Sequence, residues 1–151
     1  MRLPTAHGVI PARLFVPPRD DDEKPLPLVV ALHGAKGSEN LFFDGYGQGE
    51  VVDECQRRGW MVVSPRTEGF SLLPVDEIVA AINAHYPVDP RRVFVVGHSM
   101  GAMQTAAAAI AKPELYAAVA ALGGGGTAKP SDALKRLPYF VAAGSRDFAL
   151  P

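Results

Sequence analysis

Apolar positions along the chain come in short, nearly unbroken runs rather than in strict alternation. Pro27 to Gly34 reads PLVVALHG, Trp60 to Pro65 WMVVSP, Arg92 to His98 RVFVVGH, Tyr116 to Gly124 YAAVAALGG and Tyr139 to Ser145 YFVAAGS. Most are rich in Val, Phe or Leu. Such runs predict strands buried on both faces, as in a parallel sheet covered by helices. The segments between them change period. Val75, Ile78, Val79, Ile82 and Tyr86 recur at helical spacing behind Pro74, with Asp76 and Glu77 in the first turn. EVVDECQRRGW places Val51, Val52 and Cys55 on one side and stops at Gly59, a natural helix end. AMQTAAAAIAK predicts a third helix, closed before Pro113. Strand and helix in alternation predict an α/β fold with right-handed crossovers. Near the start, ARLFVPP predicts an antiparallel edge strand, and PPRDDDEKPLP a solvated turn into the core.

Composition narrows the field. The 151 residues are 48% apolar and 21% charged, with a net charge of -1. That suits one domain spanning residues 1–151 with a real core, and it is too apolar for disorder. Near-neutral charge gives no electrostatic reason to expect nucleic acid or an anionic membrane as partner. No apolar stretch is long enough to span a bilayer, and MRLPTAHGVIPARLFV lacks the layout of a secretory signal. The expected compartment is therefore the cytoplasm. Cys55 is the only cysteine, so neither an internal disulfide nor a cysteine-built metal site is expected. The acidic run Asp20 to Glu23 lies between prolines and reads as a wet loop rather than a cation site.

Two glycine-rich stretches imitate nucleotide motifs. GYGQGE, Gly45 to Glu50, spaces its glycines too closely for a dinucleotide fingerprint and follows no strand. GGGGTAKPS lacks the Gly-Lys-Ser/Thr of a phosphate loop. Both read as loops.

A third stretch carries chemistry. Gly97-His98-Ser99-Met100-Gly101 follows a predicted buried strand and opens a helix, the setting of a nucleophile elbow. Ser99 is expected on a sharp, strained turn with its hydroxyl above the carboxyl edge of the sheet. Side chains at Gly97 or Gly101 would collide with the neighbouring elements. Ala102 and Ala106 to Ala109 let the helix approach the sheet, and its N-terminus directs partial positive charge at the hydroxyl.

With these residues in place, the sequence resembles the α/β-hydrolase superfamily, and within it the carboxylesterase, dienelactone-hydrolase and polyhydroxybutyrate-depolymerase-like esterases. PLVVALHGAKGSEN, GWMVVSPR, YPVDPRRVFVVGHSMGAM, PELYAAVAALGG and LPYFVAAGSRD carry the likeness in order. The resemblance implies a mostly parallel sheet with helices on both faces. It also implies a serine hydrolase of carboxylic esters acting through a covalent acyl-enzyme on a small-molecule ester, with no metal or organic cofactor. Ser99 would be the nucleophile, and the backbone N–H groups of Met100 and of Ala35, with Lys36 as alternative, the oxyanion hole. His33 would shape the loop after its strand, and His98, beside Ser99 where neighbouring side chains diverge, would not be the base. In these enzymes the acid follows the serine. Of Glu114, Asp132 and Asp147, the first two suit helix starts, whereas Asp147 follows YFVAAG at the edge where Ser99 lies and resembles the family's G-x-x-D acid.

The base comes last in the family's order, and none of the four histidines, His7, His33, His85 and His98, follows Asp147. The chain is thus expected to be C-terminally incomplete, without the last strand and helix and with a weak nucleophile at Ser99. A serine peptidase of the prolyl-oligopeptidase type and an inert binding module of the same fold are the alternatives. Acyl preference and oligomeric state are not encoded in these motifs.

Overall fold

A computed structural model of the chain describes residues 1–67, 72–124, 131–132 and 134–147. Its centre is a seven-stranded mixed sheet: β1 (Arg2–Thr5), β2 (Gly8–Phe15), β3 (Leu26–Leu32), β4 (Met61–Pro65), β5 (Val88–His98), β6 (Ala118–Leu122) and β7 (Tyr139–Ala142). The spatial order is β1-β2-β4-β3-β5-β6-β7. The first two strands form an antiparallel hairpin, and β2 runs antiparallel to β4. All other pairings are parallel.

Two-sided burial explains the continuous apolar runs. Leu28, Val30 and Leu32 of β3, Met61 and Val63 of β4, and Val93 and Val95 of β5 face one core, where Val75, Ile78, Val79 and Ile82 of α2 (Val75–Asn83) pack. Val29 and Ala31 of β3 and Val62 of β4 face the other, closed by Phe42 and by Cys55 of α1 (Glu50–Arg58). The third helix, α3 (Met100–Ala111), adds Ala109 to the first core. Helices thus cover both faces, and each fully buried aliphatic side chain contributes roughly 1.5–3 kcal/mol relative to an exposed one.

Helix α1 ends as its sequence predicts. Gly59 takes φ 69°, while its N–H donates to Gln56 O at 3.1 Å and that of Trp60 to Cys55 O at 2.8 Å. Only a glycine enters this left-handed closure without strain.

Three expectations need correcting. ARLFVPP is antiparallel, but it is not at the edge: β1 lies outside it, held by fully buried Leu3 in the α2-side core and by the Ala6 N–H on Glu77 Oε2 at 2.6 Å. β1 is four residues of mixed character and carries no period of its own. The sixth and seventh strands are also shorter than their apolar runs, beginning at Ala118 in one and ending at Ala142 in the other. Finally, β7 is not buried on both faces. Phe140 and Val141 are 62% and 50% exposed, as befits a strand whose partner in the described sheet is β6 alone.

The acidic turn is solvated, with Arg19 paired to Asp22 at 3.0 Å and the Glu23 N–H on Asp21 Oδ1 at 2.9 Å. GYGQGE forms a kinked turn into α1. Gly49, at φ 89°, has no room for a side chain, since a Cβ would stand 2.4 Å from Phe43 O. Of GGGGTAKPS, Gly125 to Pro130 lie outside the described residues.

Candidate active site

β5 ends at His98 and α3 begins at Met100, so Ser99 alone makes the turn between them. Its backbone adopts φ 55° and ψ -115°, a conformation that costs a non-glycine residue about 1–3 kcal/mol. The surroundings enforce it. The Ser99 N–H donates to Leu122 O of β6 at 2.8 Å, while its carbonyl accepts from Ala102 N at 2.9 Å and Met103 N at 3.2 Å. Met100 is therefore one of the N-terminal donors of α3 that have no intrahelical acceptor. The flanking glycines are steric necessities. A Cβ at Gly97 would lie 2.1 Å from Gly101 O, and one at Gly101 would lie 1.9 Å from Leu32 O. Ala102, Ala106 and Ala109 are buried, which lets α3 pack this closely.

The loop after β3 borders the serine. A Cβ at Gly34 would stand 3.4 Å from Ser99 Cβ. Gly34 to Gly37 close a turn through the Gly37 N–H on Gly34 O at 3.1 Å, with Lys36 in the left-handed region at φ 61°. Ala35 and Lys36 are exposed at its tip. His33 fixes this turn from below. It is fully buried, and its Nε2 accepts the Thr67 N–H at 3.0 Å. Its proton therefore sits on Nδ1, which donates to Gly34 O at 2.8 Å. Both ring nitrogens are committed to backbone groups, an arrangement that shapes the loop.

Asp147 reaches the other side of the elbow. It lies in the turn after β7, its N–H donating to Gly144 O at 2.9 Å. A Cβ on Gly123 would meet Asp147 Oδ2 at 3.2 Å and His98 Nε2 at 3.5 Å, and one on Gly124 would meet Ser99 O at 3.1 Å. The bare backbone of Gly123, at φ 62°, thus leaves room for the Asp147 carboxylate and the His98 imidazole, and that of Gly124, at φ 155°, passes against the Ser99 carbonyl. Glu114 is elsewhere, in the short 3-10 turn Pro113–Leu115 between α3 and the start of β6. Asp132 is an exposed partner of Lys135 at 2.7 Å, ahead of the start of β7. His85 lies between the end of α2 and the start of β5, and so at the opposite edge of the sheet from Ser99. His7 lies in the β1–β2 turn, in a cleft with Arg66 and Thr67.

Sequence reasoning missed Tyr46. Its hydroxyl accepts the Gly34 N–H at 3.3 Å and bonds His98 Nδ1 at 3.0 Å, with the two rings edge-on at 4.8 Å. The available signal was a run of aromatics, Phe42, Phe43 and Tyr46, in a glycine-rich loop. Among the described residues, no cluster of three or more His, Cys, Asp or Glu side chains is placed to hold a metal ion.

A strand–serine–helix turn of this form at the carboxyl edge of a mostly parallel sheet matches a known design. The family model described as "Alpha/beta hydrolase family" matches residues 7–151. The chain belongs to the alpha/beta hydrolase family. It is 32% identical over 117 residues to the poly(3-hydroxyalkanoate) depolymerase C of Paucimonas lemoignei, covering 66% of this chain and 28% of that one. It is 41% identical over 88 residues to the S-formylglutathione hydrolase of Rattus norvegicus, covering 57% and 29%. The crystal structure of a thermostable esterase superposes with a TM-score of 0.75 at 29% identity, covering 93% of this chain and 44% of the esterase. The match thus spans less than a third of either curated relative's length.

Proposed function

We propose that the protein of which these residues form the core hydrolyses carboxylic esters of small molecules through a covalent acyl-enzyme on Ser99. The observation that carries the reading is the Ser99 backbone, held in a strained conformation at the N-terminus of α3 between glycines where an added Cβ would clash with backbone. Such strain persists only where surrounding structure over-determines it, and it collects at catalytic groups.

In this mechanism the Ser99 hydroxyl attacks the acyl carbon as a base removes its proton, giving a tetrahedral oxyanion. The N–H groups of Met100 and Ala35 stabilise that charge. The first is aided by the partial positive charge at the start of α3. Collapse expels the alcohol, which takes up the proton held by the base. Water, activated by the same base, then repeats the attack and releases the acid. Asp147 orients the base and stabilises its cationic form. His33 is excluded from that role by its two backbone bonds, and His85 by its position at the far edge. The names of the depolymerase, the S-formylglutathione hydrolase and the esterase it resembles support ester chemistry as the class.

The test is turnover of p-nitrophenyl acetate by the full-length protein. Ser99→Ala should lower kcat by several orders of magnitude with the fold intact, since the attacking group is gone. Asp147→Asn should also lower it strongly, while Glu114→Gln and Asp132→Asn stay near the parent. Parent-level turnover by Ser99→Ala would overturn the reading.

A further inference from the structure

The Tyr46 hydroxyl joins two parts of the site that are far apart in sequence. It touches Gly34, which opens the turn carrying Ala35, and His98, which immediately precedes Ser99. The ring itself is clamped. It stands edge-on to Phe42 at 4.9 Å and to His98 at 4.8 Å, and Phe42 is 2% exposed in the α1-side core. The loop that delivers it turns through the left-handed region directly after the tyrosine, at Gly47 (φ 54°) and at the non-glycine Gln48 (φ 56°).

The Gly34 N–H can only donate, so the phenolic oxygen accepts it. The same hydroxyl is hydrogen-bonded to His98 Nδ1 at 3.0 Å. The other ring nitrogen, Nε2, shares the space above Gly123 with Asp147 Oδ2. A continuous path therefore runs from the Gly34 amide through the phenol to the imidazole beside the nucleophile.

We propose that Tyr46, through His98, is a positioning residue for ester hydrolysis, fixing the spacing between the Ala35 and Met100 arms of the oxyanion hole. The proposal rests on the esterase reading above. Oxyanion donors work only when both stand about 2.7–3.1 Å from the place the charge will occupy. One arm is an exposed turn tip and the other is the rigid start of α3. The Tyr46 hydroxyl is the cross-tie that holds the exposed arm to the helix start. Simple aromatic packing would need the ring but not its oxygen.

Tyr46→Phe separates those roles, because it keeps both edge-on ring contacts and removes only the hydroxyl. In the full-length protein, with p-nitrophenyl acetate, kcat should fall roughly tenfold with KM unchanged, the equivalent of one lost hydrogen bond. His98→Leu should match that loss, and His98→Asn, which keeps an acceptor near the Nδ1 position, should recover most of it. Histidine 15N spectra supply a readout that needs no turnover. Tyr46→Phe should move the His98 Nδ1 resonance toward the value of an unbonded nitrogen. Parent-level kcat in Tyr46→Phe, or an unmoved Nδ1 resonance, would overturn the proposal. Failure of the esterase reading shows differently, as turnover indifferent to Ser99→Ala, and the spectra then decide whether the tie exists.

Discussion

Gly101→Ala is the smallest change that tests how the elbow is held. The new Cβ would stand 1.9 Å from Leu32 O, 2.5 Å from Leu32 C and 2.9 Å from His33 O. Favourable carbon contacts lie at about 3.5 Å, so α3 and β3 must separate by more than about 1 Å. Neither partner can rotate aside, because all three atoms are backbone and Leu32 is paired to Gly97 of β5. Overpacking costs about 1–3 kcal/mol, and a clash with a strand in the sheet centre belongs at the upper limit, about 3 kcal/mol. Alanine returns about 1 kcal/mol through its better helix propensity. The net loss is then about 2 kcal/mol. Urea unfolding followed through Trp60, the single tryptophan, which stacks on Phe94 at 4.9 Å, measures it directly. With a slope of about 1–3 kcal/mol per molar urea, the midpoint should drop by about 1 M. Gly144→Ala is the control, since nothing lies within 4 Å of its added Cβ. Equal midpoints for the two variants would refute the claim that close backbone packing of α3 on β3 holds the elbow.

Two further predictions concern titration. Burial, and secondarily Glu54, push the Cys55 thiol up to about 11, so at pH 8 it should react with a disulfide reagent only as fast as the protein opens, and at once in urea. Stability should also fall as pH rises above the unfolded thiol value of about 8.5, where only the unfolded state gains a thiolate; immediate reaction of the native protein would contradict this. The Arg91 N–H and then the Arg92 guanidinium hold the Asp89 carboxyl below its ordinary value. Its contribution is therefore present above the unfolded carboxylate value and lost as pH falls through the folded one. Asp89→Asn should lower the urea midpoint at pH 6 and match the parent at low pH, whereas a constant difference at both would contradict that origin.

The parts of this fold legible in the sequence are those encoded locally. The Gly97-to-Gly101 elbow could be read because two glycines at fixed offsets from a serine answer to clashes within a few residues. β3, β4 and the Val93–Val96 stretch of β5 could be read because burial on both faces leaves few polar positions there. Tyr46 could not, because its meaning depends on Gly34 and His98, the latter 52 residues away. The same holds for β1, whose place is set by Leu3 against α2 rather than by a pattern of its own. β7 misled for the converse reason: YFVA has the composition of a covered strand, but in the described sheet only β6 lies beside it. Of the site, Ser99 follows from local sterics, whereas the approach of Asp147 depends on the bare backbone at Gly123, a contact between separate loops.

The central claim is that Ser99 carries the acyl group. It is tested most directly by mass-spectrometric mapping of the residue modified by an alkyl fluorophosphonate in the full-length protein. The account predicts a single adduct on the peptide containing Ser99, loss of ester turnover in step with labelling, and no adduct in Ser99→Ala. An adduct on another residue with matching loss of turnover, or a fully labelled Ser99 with turnover intact, would contradict it.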